Sequence, residues 1–119
     1  MTRPRGYISW SLLEKLVDQC SGRPFGLDTL HGAGEPLLWN RLEEAIQLIR
    51  SRKAGRAIFA TNATLLTEDR AKSLLDAGLT CICIWLDSLD PANYRSTKGT
   101  DLDKVIKNIQ NLIRIAASK

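Results

Sequence analysis

Residues 30–38 read LHGAGEPLL and lie at the carboxyl end of a short apolar strand that we predict over residues 26–31. The two glycines of this stretch carry no side chain, so a ligand can approach their backbone amide and carbonyl groups closely. Pro36 cannot donate a backbone hydrogen bond and therefore ends the strand. Glu35 adds a carboxylate beside the turn. Taken alone, the stretch is a weak signal for a loop that binds an anion or an amine.

The composition is that of an ordinary globular protein with one domain, residues 1–119. Apolar residues make up 44% of the chain and charged residues 25%. No stretch approaches the ~20 consecutive apolar residues of a membrane-spanning helix, and no apolar signal region follows the basic N-terminus. We therefore expect a cytoplasmic protein without a membrane partner. The cysteines, three in number, argue against a disulfide framework and fit a reducing compartment.

The net charge of +4 comes from scattered basic residues that alternate with acidic ones. The densest basic cluster consists of Arg50, Arg52, Lys53 and Arg56. This cluster could bind a phosphate, but cations also complement the dipole at the end of a helix, which favours a solvated helix end. No aromatic residues alternate with the cluster, so a nucleic-acid partner is not expected.

Hydrophobic periodicity predicts a strand–helix unit that is repeated along the chain. Apolar runs that favour buried strands lie at residues 26–31, 57–61 and 80–86. Four stripes predict helices, whose start signals are Ser11 with Glu14, Asn40 with Glu43, Thr67, and Thr100 with Asp103. Gly55 is expected to end the second helix, and a short turn or helix is expected near Pro91–Arg95. The order αβαβαβα predicts a parallel α/β architecture.

This order begins and ends with a helix, so the first and last strands of the sheet have unpaired edges. A complete (β/α)₈ barrel takes ~250 residues, and the chain would therefore form a partial parallel (β/α) barrel, about half of a complete one. Unpaired edges favour pairing with another chain. We accordingly expect self-association through the open sheet edges.

Polar groups follow all three predicted strands, at residues 32–36, 61–64 and 86–91. In parallel sheets the carboxyl ends of the strands meet at one edge, where functional groups collect. The three segments are therefore expected to form one rim that binds a small polar ligand.

These segments and their order resemble the middle of the radical S-adenosylmethionine (radical SAM) domain, over residues 26–113. GAGEP at 32–36 resembles the GGEP motif of that family, and TNATLL at 61–66 resembles its TNGTLL strand end. Ser88-Leu89-Asp90 resembles its SLD motif, and Tyr94-Arg95 and Lys98-Gly99 follow as they do in the family. Tyr7-Ile8-Ser9 resembles the stretch just after the family's cluster loop.

The resemblance implies a TIM-like fold and a site for S-adenosylmethionine. By this resemblance, the backbone at Ala33 and Gly34 would meet the ammonium group of the cofactor, with Glu35 in support. The remaining cofactor-binding positions would be Asn62, which shapes the pocket, Ser88, which approaches the carboxylate or ribose, and Arg95, which pairs with the carboxylate. The charges are complementary, because a carboxylate meets an ammonium and a guanidinium meets a carboxylate.

The chain departs from the family pattern at three places. Ala33 replaces a glycine, which is tolerable at negative φ, and Ala63 replaces the glycine of an Asn-Gly turn that favours positive φ. The third departure is the CxxxCxxC triplet, whose thiolates would hold a [4Fe–4S] cluster. No such spacing occurs here, and the resemblance implies that the triplet falls before Met1. No metal ligand is therefore expected in this chain, and we interpret it as a truncated radical SAM enzyme that is inactive by itself.

Several residues also have a plainer interpretation. Glu35 could cap the following helix or lie in solvent instead of contacting a ligand. His31, the single histidine, could transfer a proton, but a local hydrogen bond is favoured. Asp87 and Asp90 could act as acid or base, although aspartate before proline is also a common helix-start signal.

Cys81 and Cys83, which share one face of the predicted strand, are expected to be buried as small hydrophobic side chains. A zinc site formed by Cys20, Cys81, Cys83 and His31 is disfavoured because CxxC pairs are missing. Trp85 is expected in the core.

Two other functions stay open from the sequence. One is a cluster-free, degenerate module that binds a small molecule or a partner chain through its open sheet edges. The other is an unrelated parallel α/β binding protein. The substrate cannot be deduced from these residues.

Overall fold

The computed structural model describes residues 4–24 and 26–119. In chain order the elements are α1 (Trp10–Cys20), a short 3₁₀ helix (Pro36–Leu38), α2 (Leu42–Ser51), β1 (Ile58–Thr61), α3 (Glu68–Asp76), β2 (Cys81–Ile84), α4 (Pro91–Lys98) and α5 (Leu102–Ala117). The predicted α/β class is confirmed. The predicted turn or helix near Pro91–Arg95 is a helix of two turns.

The sheet consists of two parallel strands in the described part of the chain. β1 and β2 pair in register from Ile58 opposite Cys81 to Thr61 opposite Ile84. The parallel arrangement predicted from the sequence is therefore correct for these two strands. The connection between the two strands contains a helix, α3, as parallel strands require. This helix packs against α5.

The predicted strand at 26–31 is wrong as a regular strand, because it forms only a single parallel bridge, Thr29 with Ile58. The segment nevertheless follows the edge of β1, since the Leu27 N–H donates to the Ala54 carbonyl at 2.6 Å and the Leu30 N–H to the Ile58 carbonyl at 2.8 Å. The next bond of the ladder does not form between backbones, because the Ala60 N–H donates to the His31 Nδ1 atom at 3.1 Å. The ladder therefore stops after the single bridge.

Gly55 allows this edge segment to approach β1. A Cβ atom at Gly55 would lie 2.3 Å from the Leu27 carbonyl oxygen, and a Cβ atom at Gly26 would lie 2.4 Å from the Ala54 carbonyl oxygen. Only glycine fits such close backbone contact. The prediction that Gly55 ends α2 is wrong, because that helix ends at Ser51.

The ends of the helices agree in part with the sequence signals. Thr67 caps α3 as predicted, since its hydroxyl accepts from the Arg70 N–H at 3.2 Å. The other three predicted caps are wrong by one or two residues, because the N-cap residues are Ser9, Arg41 and Asp101. At Arg41 and Asp101 no side-chain cap bond forms, so packing of the helices, rather than local capping, sets where they begin.

The helices pack on one face of the sheet, and the molecule is a slab of 46 × 43 × 23 Å. Its 23 Å thickness corresponds to one sheet layer and one helix layer. Phe59 of β1 is fully buried, and Ile82 and Ile84 of β2 pack against the same core. The largest buried side chains of the helices are Val17, Leu42, Ile46, Ile49, Leu74, Tyr94 and Val105.

The opposite face of the sheet is not covered by the described residues, and we call it the open face. Because side chains alternate along a strand and paired residues share a face, its members follow from the register. Thr29, Ile58, Ala60, Cys81 and Cys83 follow from the register, and Trp85 follows them by alternation after Ile84. Ala60 is buried, so the exposed side chains of this face are Thr29, Cys81, Cys83 and Trp85.

Two predictions about burial are wrong for this reason. Trp85 is 59% exposed rather than in the core, and Cys81 and Cys83 are exposed rather than buried. All three side chains alternate with the isoleucines of β2 that face the helices.

Candidate functional site

Glu35 connects the glycine-rich loop to the carboxyl end of β1. Its Oε1 atom accepts a hydrogen bond from the Thr61 hydroxyl at 2.6 Å and another from the Leu37 N–H at 3.1 Å. Its Oε2 atom accepts from the Asn62 N–H at 3.1 Å. The carboxylate therefore caps the 3₁₀ helix, as the plainer interpretation of Glu35 states, and it also fixes the loop against the strand.

The loop itself, residues 32–34, is exposed and open. A Cβ atom at Gly32 or at Gly34 would meet no other atom within 4 Å. Ala33 does not belong to the described residues with positive φ, so its replacement of a glycine causes no backbone strain. Within the part of the chain that the structure describes, the backbone groups of Gly32, Ala33 and Gly34 make no hydrogen bond. They are free to bind a ligand.

The turn after β1 forms the second segment of the rim. The Asn62 Oδ1 atom accepts from the Thr64 N–H at 2.9 Å, and the Thr61 hydroxyl oxygen accepts from the Ala63 N–H at 3.0 Å. Ala63 has φ of 59°, a left-handed conformation that costs a non-glycine residue about 1–2 kcal/mol. The strain that the sequence predicts at this position is therefore present.

Asn108 holds this strained turn in place from α5. Its Nδ2 atom donates to the Ala63 carbonyl oxygen at 2.9 Å, and the side chain is nearly buried, at 9% exposure. Sequence reasoning missed both Asn108 and the role of Thr61. The available signal was a polar residue in the apolar stripe of α5, between Val105 and Leu112.

Ser88 organises the third segment, after β2. Its hydroxyl oxygen accepts from the Asp90 N–H at 3.1 Å and from the Asn93 Nδ2 atom at 3.3 Å. Asp90 in turn caps α4, since its Oδ1 atom accepts from the Ala92 N–H at 3.0 Å. The helix-start interpretation of Asp90 is thus confirmed.

Arg95 lies on α4 and forms an ion pair with Asp101, at the start of α5. The two side chains are exposed and belong to an open groove between α4 and α5. Of the predicted site residues, the structure joins Glu35 directly to Asn62. Ser88 bonds to Asp90 and Asn93, and Arg95 bonds to Asp101, so neither contacts the other predicted site residues through these bonds.

His31 forms the local hydrogen bond that the sequence favours. Its Nδ1 atom accepts from the Ala60 N–H at 3.1 Å, in place of a backbone carbonyl from a neighbouring strand. The imidazole therefore helps to close the edge of β1 where the ladder stops.

The basic cluster at the end of α2 is partly neutralised by acidic side chains. Arg52 forms an ion pair with Asp18 at 2.6 Å, and Arg56 forms one with Asp28 at 3.2 Å. The Arg56 backbone N–H and then its guanidinium donate to the Asp28 carboxylate, which lowers the pKa of Asp28 below its ordinary value. This arrangement agrees with a solvated helix end.

A parallel α/β sheet whose carboxyl edge carries an open glycine-rich loop is typical of proteins that bind small polar ligands. The family described as the radical SAM superfamily matches residues 1–116 of this chain. The chain belongs to the radical SAM superfamily, whose members use S-adenosylmethionine and a [4Fe–4S] cluster.

Similar proteins include GTP 3',8-cyclases. That of Alkaliphilus oremlandii is 37% identical over 106 residues, which are 87% of this chain and 33% of that protein. A probable GTP 3',8-cyclase of Methanococcus maripaludis is 39% identical over 83 residues, which are 69% of this chain and 28% of that protein. One of Methanocaldococcus jannaschii is 37% identical over 84 residues. This chain spans about a third of the length of these relatives.

The cysteines of this chain do not fit a [4Fe–4S] cluster. Cys20 ends α1, whereas Cys81 and Cys83 lie on β2. In residues 4–24 and 26–119, no three His, Cys, Asp or Glu side chains are placed to hold a metal ion. In the same ranges, no helix has both the length and the apolarity needed to cross a bilayer.

Proposed function

We propose that this chain forms the part of a radical SAM domain that binds the methionine end of S-adenosylmethionine. The observation that carries the proposal is the bridge from Glu35 to Thr61 and Asn62, which joins the glycine-rich loop to the end of β1. Two rim segments that are distant in sequence are thereby held in one place by hydrogen bonds of the chain itself. Such preorganisation lowers the entropic cost of binding.

The ammonium group of the cofactor needs several acceptors, and the loop offers them. The carbonyl groups of Ala33 and Gly34 are exposed and without hydrogen-bond partners among the described residues. Glu35 accepts three hydrogen bonds, while a carboxylate has about four acceptor positions, so one position is left for the ammonium. Asn62 shapes the wall of the pocket beside them.

Ser88 would approach the carboxylate or the ribose of the cofactor, and Arg95 would pair with its carboxylate. The Ser88 hydroxyl accepts two hydrogen bonds and keeps its own proton for donation. Arg95 would have to exchange Asp101 for the cofactor. Exposed ion pairs contribute little to stability, so this exchange costs little.

For the whole protein, we propose a radical SAM enzyme in which these residues belong to a partial (β/α) barrel that other residues complete. When bound, the cluster supplies the electron for reductive cleavage of S-adenosylmethionine. The residues of this chain bind and orient the cofactor. The names of the relatives, GTP 3',8-cyclases, support GTP as the substrate of the whole protein. A cytoplasmic location is part of the same proposal.

The test is a titration of the ¹⁵N-labelled chain with S-adenosylmethionine, followed by NMR. A ligand concentration of about 10 mM saturates even a site with a Kd of about 1 mM. We expect the amide signals of residues 33–35, Asn62 and Ser88 to shift with S-adenosylmethionine and not with adenosine, which lacks the methionine moiety. The absence of shifts at residues 33–35 would contradict the proposal.

Gly34→Val provides the decisive variant, with Gly6→Val as its matched control. Neither new side chain meets another atom at its Cβ, and both positions lack positive φ, so both variants are expected to fold. The valine at position 34 occupies the space that the ligand needs and is expected to abolish the shifts, whereas Gly6→Val leaves them unchanged. Anaerobic reconstitution with iron and sulfide is expected to give no stable [4Fe–4S] absorption and no cofactor cleavage for this chain alone.

A further inference from the structure

We propose that a groove at the amino edge of the sheet binds a polyphosphate, either inorganic or the phosphate tail of a nucleotide. The groove has a volume of about 480 Å³ and lies between the loop that follows α1 and the loop that follows α2. Its charged lining residues are Arg23, Asp28, Arg50, Lys53 and Arg56, and we call it the basic groove. Arg56 precedes β1 and Asn62 follows it, so at about 3.3 Å per residue the groove lies about 20 Å from the rim. The proposal uses neither the open face nor the cofactor loop.

Positive charge is concentrated in the basic groove. Its four cations and one carboxylate give a net charge of +3, whereas the whole chain has +4. Arg56 is paired with Asp28 at 3.2 Å. Arg23, Arg50 and Lys53 form no ion pair within residues 4–24 and 26–119. A concave surface lined by one sign of charge concentrates ions of the opposite sign, so three cations are available to an anion.

Hydrogen bonds fix the two loops of the groove against each other. The Gly22 N–H, after α1, donates to the Lys53 carbonyl oxygen, after α2, at 3.2 Å. The Arg50 Nη1 atom donates to the Gly55 carbonyl oxygen at 3.4 Å. The cations are therefore carried on a framework that the chain forms by itself, which lowers the entropic cost of binding.

Lys53 has a strained backbone conformation. Its φ is 51°, in the left-handed region, at a position just after α2 where glycine is the usual residue. The Ala54 N–H donates to the Ile49 carbonyl oxygen at 2.9 Å and closes the end of the helix. Glycine would adopt this conformation without strain, but lysine adds an ammonium group to the groove. Strain of this kind is typical of functional positions.

The donor groups of the basic groove match linked phosphates. A guanidinium binds two phosphate oxygens at once, and an ammonium adds a compact charge. A polyphosphate carries several charges in a short length, so separate cations of one groove can share it, whereas a single phosphate cannot contact them all. A nucleic-acid strand binds along an extended basic surface, but these cations line one groove.

Titration of the ¹⁵N-labelled chain with inorganic triphosphate, followed by NMR, tests the proposal. Up to about 10 mM triphosphate, which saturates a site with a Kd of about 1 mM, we expect saturable shifts of the Arg23, Lys53 and Arg56 amides and none at residues 33–35. Sodium sulfate at equal ionic strength controls for screening of charges. GTP and guanosine distinguish the sources of the phosphate. Guanosine is expected to cause no shifts at the groove. Equal affinities of GTP and triphosphate there assign the phosphate groups alone, and tighter binding of GTP assigns a nucleotide.

Lys53→Gly separates binding from folding. Because glycine adopts the backbone of residue 53 without strain, the urea midpoint is not expected to fall, whereas the affinity for triphosphate is expected to fall about tenfold. Arg23→Gln is expected to weaken binding to a similar extent. Lys72→Gln is the matched control, because it removes the same charge from an exposed position on α3, and its affinity is expected to equal that of the wild type.

Shifts that do not saturate, or that sulfate reproduces at equal ionic strength, overturn the proposal and leave a solvated helix end. Undiminished affinity in Lys53→Gly and Arg23→Gln also overturns it, as does equal weakening by Lys72→Gln, since the charge of the whole chain would then decide binding. Tighter binding of a short RNA strand than of triphosphate overturns it in favour of a nucleic-acid partner. The titration with S-adenosylmethionine is assessed at residues 33–35, so its outcome is separate from these.

Discussion

Replacing Glu35 with glutamine tests how the glycine-rich loop is held against β1. The glutamine carbonyl can still accept from the Thr61 hydroxyl and the Leu37 N–H, but its amide group would oppose the Asn62 N–H. Hydrogen bonds to a charged acceptor contribute about 1.5–3 kcal/mol and neutral ones about 1 kcal/mol. The substitution removes the charge and leaves one half-buried donor without a partner. We expect the free energy of unfolding to fall by about 2 kcal/mol.

Urea unfolding followed by circular dichroism measures this change. With a slope of about 2 kcal/mol per molar urea, the midpoint of Glu35→Gln is expected about 1 M below that of the wild type. Glu44→Gln is the matched control, because Glu44 forms an exposed ion pair with Arg41, and its midpoint is expected to stay nearly unchanged. If Glu35→Gln unfolds at the wild-type midpoint, the carboxylate does not hold the loop and the reasoning fails.

Three further substitutions have defined outcomes. Gly55→Ala forces a Cβ to within 2.3 Å of a carbonyl oxygen and is expected to lower the free energy of unfolding by about 2 kcal/mol or more. Gly6→Ala meets no atom within 4 Å and is expected to leave the free energy of unfolding unchanged. Equal urea midpoints for the two variants would refute the close contact. Tyr94→Phe removes a buried hydroxyl that has no partner among the described residues and is expected to stabilise the fold by about 1 kcal/mol in the same assay; a loss of stability would reveal a partner. Because the pKa of Asp28 is lowered in the folded state, its contribution to stability is present above the unfolded pKa and is lost as the pH falls through the folded pKa. NMR titration of Arg56→Ala is expected to move the pKa of Asp28 only part of the way back to 3.8, since the backbone N–H of residue 56 still donates; a complete return would contradict the leading role of that bond.

The sequence predicts β1 and β2 well because both are continuous apolar runs that end in polar turns. It fails at residues 26–31, where the composition is that of a strand but the pairing with β1 stops after one bridge, because the His31 side chain takes the Ala60 N–H. Such a side-chain contact belongs to the fold and cannot be read from the apolar run. The prediction for Trp85 fails for a related reason, since residue type alone does not show which face of a strand the helices cover.

At the candidate site, the residue types were predictable but their connections were not. GAGEP marks Glu35 as a functional position, yet the sequence cannot tell that its carboxylate bonds to Thr61 and Asn62 across 26 and 27 positions. The strain at Ala63 was expected from the loss of a glycine. Its support by Asn108, 45 positions later, depends on how α5 packs and is therefore visible only in the structure.

The central claim is that residues 33–35 and the end of β1 bind the methionine end of S-adenosylmethionine. Intermolecular NOE measurements between the cofactor and the ¹⁵N-labelled chain test it most directly. We expect cross-peaks from the methionine protons of the cofactor to the amides of Gly34 and Asn62. Cross-peaks from the adenine protons alone at these amides, or cross-peaks confined to the basic cluster near Arg56, would contradict it.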